Sequence, residues 1–154
     1  MATTYTQLYV HIIFAVHGEE SKLNYYKQLE VYGFIDNLIE EMGHKMLIAN
    51  GTEDHIHILV KINPSISIAD LVREIKRQSS FYVNHHILKN HGFNWQEGYS
   101  AFTHTRSQVN AVYKYIEKQK EYHQDVNFKE EYLDLSEIKE DTIIDDTIFK
   151  LKYQ

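Results

Sequence analysis

Between Gln7 and Val16 the chain alternates, with Leu8, Val10, Ile12, Phe14 and Val16 on one side and Gln7, Tyr9, His11, Ile13 and Ala15 on the other. Successive side chains of an extended strand project to opposite faces, so a period of two over ten residues predicts a strand with one strongly apolar face. A second alternation runs from His55 to Ile62, with Ile56, Ile58, Val60 and Ile62 sharing one face and His55, His57, Leu59 and Lys61 the other. Strands of this kind must bury their apolar sides against another layer, and the segments between them have the pattern to supply it.

Ile35, Leu38, Ile39 and Met42 fall at i, i+3, i+4 and i+7, the stripe of an amphipathic helix, and Gly43 stands at its expected stop. Lys45 to Ala49 is a short apolar run closed by Asn50-Gly51, a dipeptide that predicts a hairpin turn into the His55 strand. Asn63-Pro64-Ser65 breaks that strand. Ser67 and Asp70 then resemble a cap before Ile68, Leu71, Val72, Ile75, Ser79, Tyr82 and Val83, which repeat at helical spacing to about Leu88. Phe93 to Thr105, around Gly98, reads as a strand or bent hairpin. Ser107 caps a third helix that buries Val109, Val112, Tyr113 and Ile116 and runs through Gln119 towards His123. The order β, α, β, β, α, β, α predicts an α+β fold, an antiparallel sheet with helices packed on one face and a ferredoxin-like or RNA-recognition-like core.

Composition narrows the chemistry. The 154 residues are 43% hydrophobic and suit one domain with a sizeable core. Residues 1–127 are read as its working part and 128–154 as an acidic tail of the same domain, with apolar helical signal at Phe128, Tyr132 and Leu135. Cysteine is absent, which excludes disulfides, thiolate metal sites and a cysteine nucleophile and favours a cytoplasmic setting. Met1 to Val16 lacks a basic region and is interrupted by Gln7 and His11, so it reads as neither signal peptide nor membrane span. The net charge of −6 argues against a broad positive field for sequence-blind phosphate binding. Residues 126–154 carry four lysines against eight acidic residues, net −4, which leaves only −2 for the rest.

Ten histidines and twelve tyrosines direct attention to metal ligation and phosphoryl chemistry. In Asp54-His55-Ile56-His57 two imidazoles one residue apart on a strand point the same way and can close on one divalent ion. The same pair, taken alone, also fits the lining of a half-buried sheet face. Tyr115 and Gln119 stand at i and i+4 on one face of the third helix, beside its apolar stripe, where they can border a cleft or simply face solvent. Arg73, Lys76 and Arg77 at i, i+3 and i+4 can follow a nucleic-acid backbone or form an ordinary solvated helix face.

His55-Ile56-His57 after Asp54, followed more than fifty residues later by Val112-x-x-Tyr115-Ile116-x-x-Gln119, resembles the motif pair of the single-tyrosine His-hydrophobic-His (HUH) transposases, the TnpA-type enzymes of the smallest bacterial insertion sequences. The resemblance covers about residues 5–125. It implies transposition through single-stranded DNA by a homodimer that recognises hairpins at the element's ends. By motif position Tyr115 is the nucleophile that forms a 5′-phosphotyrosine and frees a 3′-hydroxyl, and His55, His57 and Gln119 ligate Mg²⁺ or Mn²⁺. It also implies active sites shared between subunits, with Tyr115 acting in trans to His55 and His57. A phenol with a pKa of about 10 is a poor nucleophile but a competent leaving group, so an aryl phosphodiester conserves the bond for rejoining. Imidazole and amide ligands suit manganese better than magnesium, and manganese is expected to support activity at least as well.

Around that core, Tyr113 is assigned to the apolar stripe, Tyr122, His123 and His104 are the next side chains expected near the site, and His104 is the substitute third ligand. Arg73, Lys76, Arg77 and Arg106 are the candidate DNA contacts. Two other classes fit parts of the pattern: a non-catalytic nucleic-acid-binding module on the same sheet, and a zinc-dependent hydrolase built on His55, His57 and His104.

Overall fold

The structure, a computed structural model, describes residues 3–89, 92–124, 127, 128, 130 and 131. Four strands, β1 (Tyr9–Ala15), β2 (Lys45–Gly51), β3 (His55–Lys61) and β4 (Ser100–His104), form one sheet in the order β2-β3-β1-β4 with every neighbouring pair antiparallel. Helices α1 (Tyr25–Glu41) and α2 (Ile68–Tyr82) provide the two crossovers, giving the β-α-β-β-α-β arrangement of a ferredoxin-like core. Val10, Ile12 and Phe14 of β1 and Ile56, Ile58 and Val60 of β3 form one face, buried against Ile35, Leu38 and Ile39 of α1 and Leu71, Val72 and Ile75 of α2. The expected α+β class, an antiparallel sheet with helices packed on one face, is the one observed for these two long helices. The shorter α3 (Val109–Glu117) and α4 (Gln119–Tyr122) lie by the other face, the one that carries His11, His55 and His57.

Local signals set several boundaries. Asn24 caps α1 through its side chain, and α1 stops before Gly43, whose φ of +85° is the left-handed conformation that glycine adopts without strain. Ser67 caps α2 by accepting from the Asp70 amide, and a π-helical turn, Val83–Ile87, extends it close to the expected Leu88. Two boundaries differ from the sequence reading. Asn50 and Gly51 are not the hairpin turn: both lie within β2, opposite His57 and Ile56, and the chain reverses through Thr52–Asp54. Glycine is required at 51 for another reason, since a Cβ there would lie 2.1 Å from the His55 carbonyl oxygen. Thr105, rather than Ser107, caps the turn into α3, forming a reciprocal pair with Gln108.

The third helix also departs from expectation. It breaks at Lys118, so that α3 and α4 replace one continuous helix, and of its apolar stripe only Ile116 is buried. Tyr113, assigned to the core, is 38% exposed. Between Phe93 and Thr105 the regular strand is β4 alone. The residues before it are held by Trp95, which bridges to Val16 and donates to Ser79 Oγ at 2.9 Å. None of the described helices is long and apolar enough to cross a membrane.

Candidate active site

Because β3 alternates, His55 and His57 emerge on the same side of the sheet, and both are buried. Each is fixed through Nδ1. For His55 the partner is Asp54 Oδ1 at 2.7 Å, itself steadied by the Thr52 hydroxyl at 2.9 Å, which leaves Nε2 pointing into the site. For His57 the partner is Nε2 of His11, across the β1–β3 ladder, at 2.7 Å. A neutral imidazole can donate or accept, so His11 can accommodate either tautomer of His57.

The helical side brings Tyr115 and Gln119 to these imidazoles. The Tyr115 ring lies 5.8 Å from the His57 ring and 6.3 Å from that of His11, centre to centre. Gln119 is fully buried, with Oε1 3.4 Å from His55 Nε2. Asn50 sets the height of this unit on the sheet. Its Nδ2 donates to the carbonyls of Ile116 and Glu117 at 3.0 Å each, satisfying groups the ending helix leaves open, and its Oδ1 accepts from Lys120 at 2.9 Å. Lys120 continues to Gly51 O and Gln28 Oε1, pinning α4 to β2 and α1.

A carboxylate from beyond α4 closes the cluster. Phe128 stacks on the His55 ring at 4.3 Å and packs with Ile13 and Ala15, and one turn further Glu131 is fully buried. Its Oε1 lies 2.8 Å from His57 Nε2, 3.0 Å from His123 Nε2 and 3.5 Å from His55 Nε2. Its Oε2 accepts from Gln119 Nε2 at 2.8 Å and from the Tyr115 hydroxyl. Ligand atoms of His55, His57, His123 and Glu131 all lie within 4.8 Å of one another, a donor set of three imidazoles and one carboxylate that fits a divalent transition-metal ion. Clefts open on either side: one of about 400 Å³ bordered by His11, Phe102, His104 and Tyr115, the other of about 570 Å³ bordered by Asp54, Lys120, His123 and Phe128.

Burial and charge polarise these groups. Burial lowers His57 to about 4 despite its hydrogen bond to Glu131. It lowers His11 to about 3, with His57 and His104 adding to the effect. His55 is also penalised by burial, but its bonds to Asp54 and Glu131 prevail and raise it above the usual histidine value. Burial works against ionisation of Glu131, yet the bonds from His123, His55 and His57 hold its carboxyl well below the ordinary range. Burial and the adjacent Glu131 carboxylate push the Tyr115 phenol upward, so as it stands it is a protonated, unactivated nucleophile.

The family model of IS200-like transposases matches residues 4–119, which include both histidines, Tyr115 and Gln119. The chain belongs to the IS200-like transposase family. Among solved structures, a Deinococcus radiodurans R1 protein provisionally assigned as a transposase superposes with a TM-score of 0.59 at 19% identity, covering 77% of this chain and 95% of that one. A REP-associated tyrosine transposase bound to a REP hairpin superposes with a TM-score of 0.60 at 16% identity, covering 82% of this chain and 74% of that one. At those identities the likeness is one of fold. A search of curated proteins finds no match.

Within this transposase, His55, His57, Gln119 and Tyr115 come together, whereas His104 does not join them. It stands near His11, 6.2 Å between ring centres, and borders the cleft beside Tyr115, while His123 takes the place nearer the ligand atoms. His11 and Glu131 are the participants that sequence reasoning missed. On α2, Arg73 and Arg77 are exposed but each pairs with an acid one turn earlier, Asp70 at 2.5 Å and Glu74 at 2.8 Å. Lys76 turns inward instead, donating to the carbonyls of Gln96 and Gly98, and its burial lowers it to about 8. Arg106 lies exposed in the turn before α3.

Proposed function

We propose that this transposase cleaves and rejoins single-stranded DNA at insertion-sequence ends through a 5′-phosphotyrosine on Tyr115, assisted by Mg²⁺ or Mn²⁺ at His55, His57 and Gln119. The observation that carries the reading is the meeting of the Tyr115 phenol with the paired imidazoles of β3 in a buried, polar cluster between two clefts. DNA hairpins are the proposed substrate, a reading supported by the relative bound to a REP hairpin. Arg73, Arg77 and Arg106 are the proposed phosphate contacts, with Lys76 given to support of the loop before β4. We also take the chain as one cytoplasmic domain, its residues 128–154 included, since Phe128 and Glu131 are buried against the histidine face.

A cation held by His55, His57 and Gln119 would supply Lewis-acid withdrawal of charge from the phosphate. The protein supplies the rest. Asp54 and His11 orient the two imidazoles through Nδ1, and the burial of the site strengthens every polar contact within it. Tyr115 Oη attacks phosphorus, releasing its proton to water in the adjoining cleft as the Oη–P bond forms. The P–O3′ bond breaks and the departing 3′-oxygen takes up a proton to become a hydroxyl. Rejoining is the reverse attack by a 3′-hydroxyl, with the phenol as leaving group, so no external energy source is needed.

A homodimer with shared sites is part of the proposal. Within this single chain Tyr115 already meets its own His57, so sharing requires the α3–α4 unit to leave the sheet and dock on a partner. The test of the reading is metal-dependent cleavage of labelled single-stranded element ends. Expected is a denaturation-resistant protein–DNA adduct that disappears in Tyr115→Phe while hairpin binding persists. An adduct that survives this substitution overturns the assignment of Tyr115.

A further inference from the structure

We propose that Glu131 and His123, which lie outside the stretch matched by the family model, belong to the cation site itself. The added ligand atoms are Glu131 Oε1 and His123 Nε2, beside the Nε2 atoms of His55 and His57 and the carbonyl oxygen of Gln119. This rests on the reading above that the site takes a divalent cation.

Three nitrogens crowd one carboxylate oxygen, at 2.8, 3.0 and 3.5 Å. Two of these separations match the edge of a ligand shell: atoms about 2.1 Å from a common ion and at right angles stand about 3.0 Å apart. Gln119 also reaches this cluster. Its carbonyl oxygen is 3.4 Å from His55 Nε2, while its amide nitrogen is committed to Glu131 Oε2 at 2.8 Å. Turning the amide over would set its carbonyl against the carboxylate, so Glu131 keeps the Gln119 carbonyl directed at His55 Nε2.

The placement of Glu131 is built rather than incidental. Its amide donates to Asn127 O at 3.1 Å, and the Asn127 side chain accepts from the Glu130 amide at 2.9 Å. Phe128 is buried between these anchors and the His55 ring. A fully buried carboxylate needs charged partners, and three imidazoles with a carboxylate make a mixed nitrogen and oxygen set suited to Mn²⁺. The two oxygens then have separate tasks: Oε1 for the cation, Oε2 for Gln119 and the attacking phenol. A tail segment thereby carries a ligand and restrains the nucleophile at once.

Calorimetric titration of the full chain with MnCl₂, without DNA, tests this, together with Glu131→Ala, His123→Ala and Gln119→Ala, each verified as folded by circular dichroism. Expected is one Mn²⁺ per chain, weakened about 10-fold or more by loss of Glu131, His123 or Gln119. Electron–nuclear double resonance of the wild-type Mn²⁺ complex should count three imidazole nitrogens, which decides the matter even where a variant does not fold. Wild-type affinity in Glu131→Ala and His123→Ala, tighter binding in Glu131→Ala, or two nitrogens only would overturn the assignment and leave the cation-assisted reading standing. Absence of Mn²⁺ binding by the wild type would overturn both.

Discussion

Replacing Asn50 with alanine removes three hydrogen bonds at once: two donated to the last carbonyls of α3 and one accepted from Lys120. Each exchanged hydrogen bond contributes about 1 kcal/mol net. Asn50 is only half-buried, so water reaches some of the orphaned groups, and Lys120 keeps Gly51 O and Gln28 Oε1. The expected loss is about 1–3 kcal/mol, a drop in melting temperature of about 3–10 °C for a domain of this size. Tyr115 and Gln119 flank the break at Lys118 that Asn50 secures, so adduct formation should slow about 10-fold, equivalent to about 1.4 kcal/mol, with hairpin affinity little changed. Asn50→Asp separates the contributions. It keeps an acceptor for Lys120 but turns a carboxylate oxygen on two carbonyl oxygens, and should be more damaging than alanine. Thermal melts and single-turnover adduct formation measure both effects. If Asn50→Asp melts and reacts like the wild type, the two bonds to α3 do not position the tyrosine.

Acid should unfold the metal-free protein early. The folded values of about 4 for His57 and about 3 for His11 lie below the ordinary 6.5, so between pH 6.5 and about 4 the unfolded chain binds more protons and stability falls as pH falls. His57 alone accounts for about 3 kcal/mol at 1.36 kcal/mol per pKa unit, and His55, raised in the fold, offsets part of it. Melting in chelator at several pH values checks this; a flat profile from pH 6.5 to 4.5 refutes it. Lys76→Met should cost about 1–2 kcal/mol of stability without changing the salt dependence of hairpin binding, whereas Arg106→Ala should lower that slope by about one. Fluorescence anisotropy across a salt series distinguishes the two. Mixing Tyr115→Phe subunits with His55→Ala subunits should restore some cleavage if sites are shared, and complete failure in demonstrated heterodimers counts against sharing.

The alternation in β1 and β3 made the sheet, its buried face and the common direction of His55 and His57 legible, because a period of two needs no tertiary knowledge. Asn50-Gly51 misled for the same reason. The pair is a good turn former locally, but a bulge at Met46–Ile48 and the close approach of the His55 carbonyl place it in the ladder instead. His11 reads in sequence as a polar interruption of an apolar run; only the pairing of β1 with β3 shows that it meets Nδ1 of His57. Glu131 is one acid among many in an acidic stretch, and no spacing distinguishes it. Its position follows from Phe128 packing on the histidine face, which is a long-range contact. The partial exposure of the α3 stripe, Tyr113 above all, has a similar origin: the helix meets the sheet through Ile116 rather than along its whole apolar side. The apolar signals at Tyr132 and Leu135 lie outside the described residues.

The most direct measurement is mass spectrometry of the covalent species formed when the full chain, supplied with Mn²⁺, is incubated with a single-stranded element end and quenched. A single nucleotide adduct, mapped to the peptide containing Tyr115 and linked through a 5′-phosphate, is the predicted result. An adduct on any other side chain, or strand cleavage that leaves no covalent species at any time, would contradict the account.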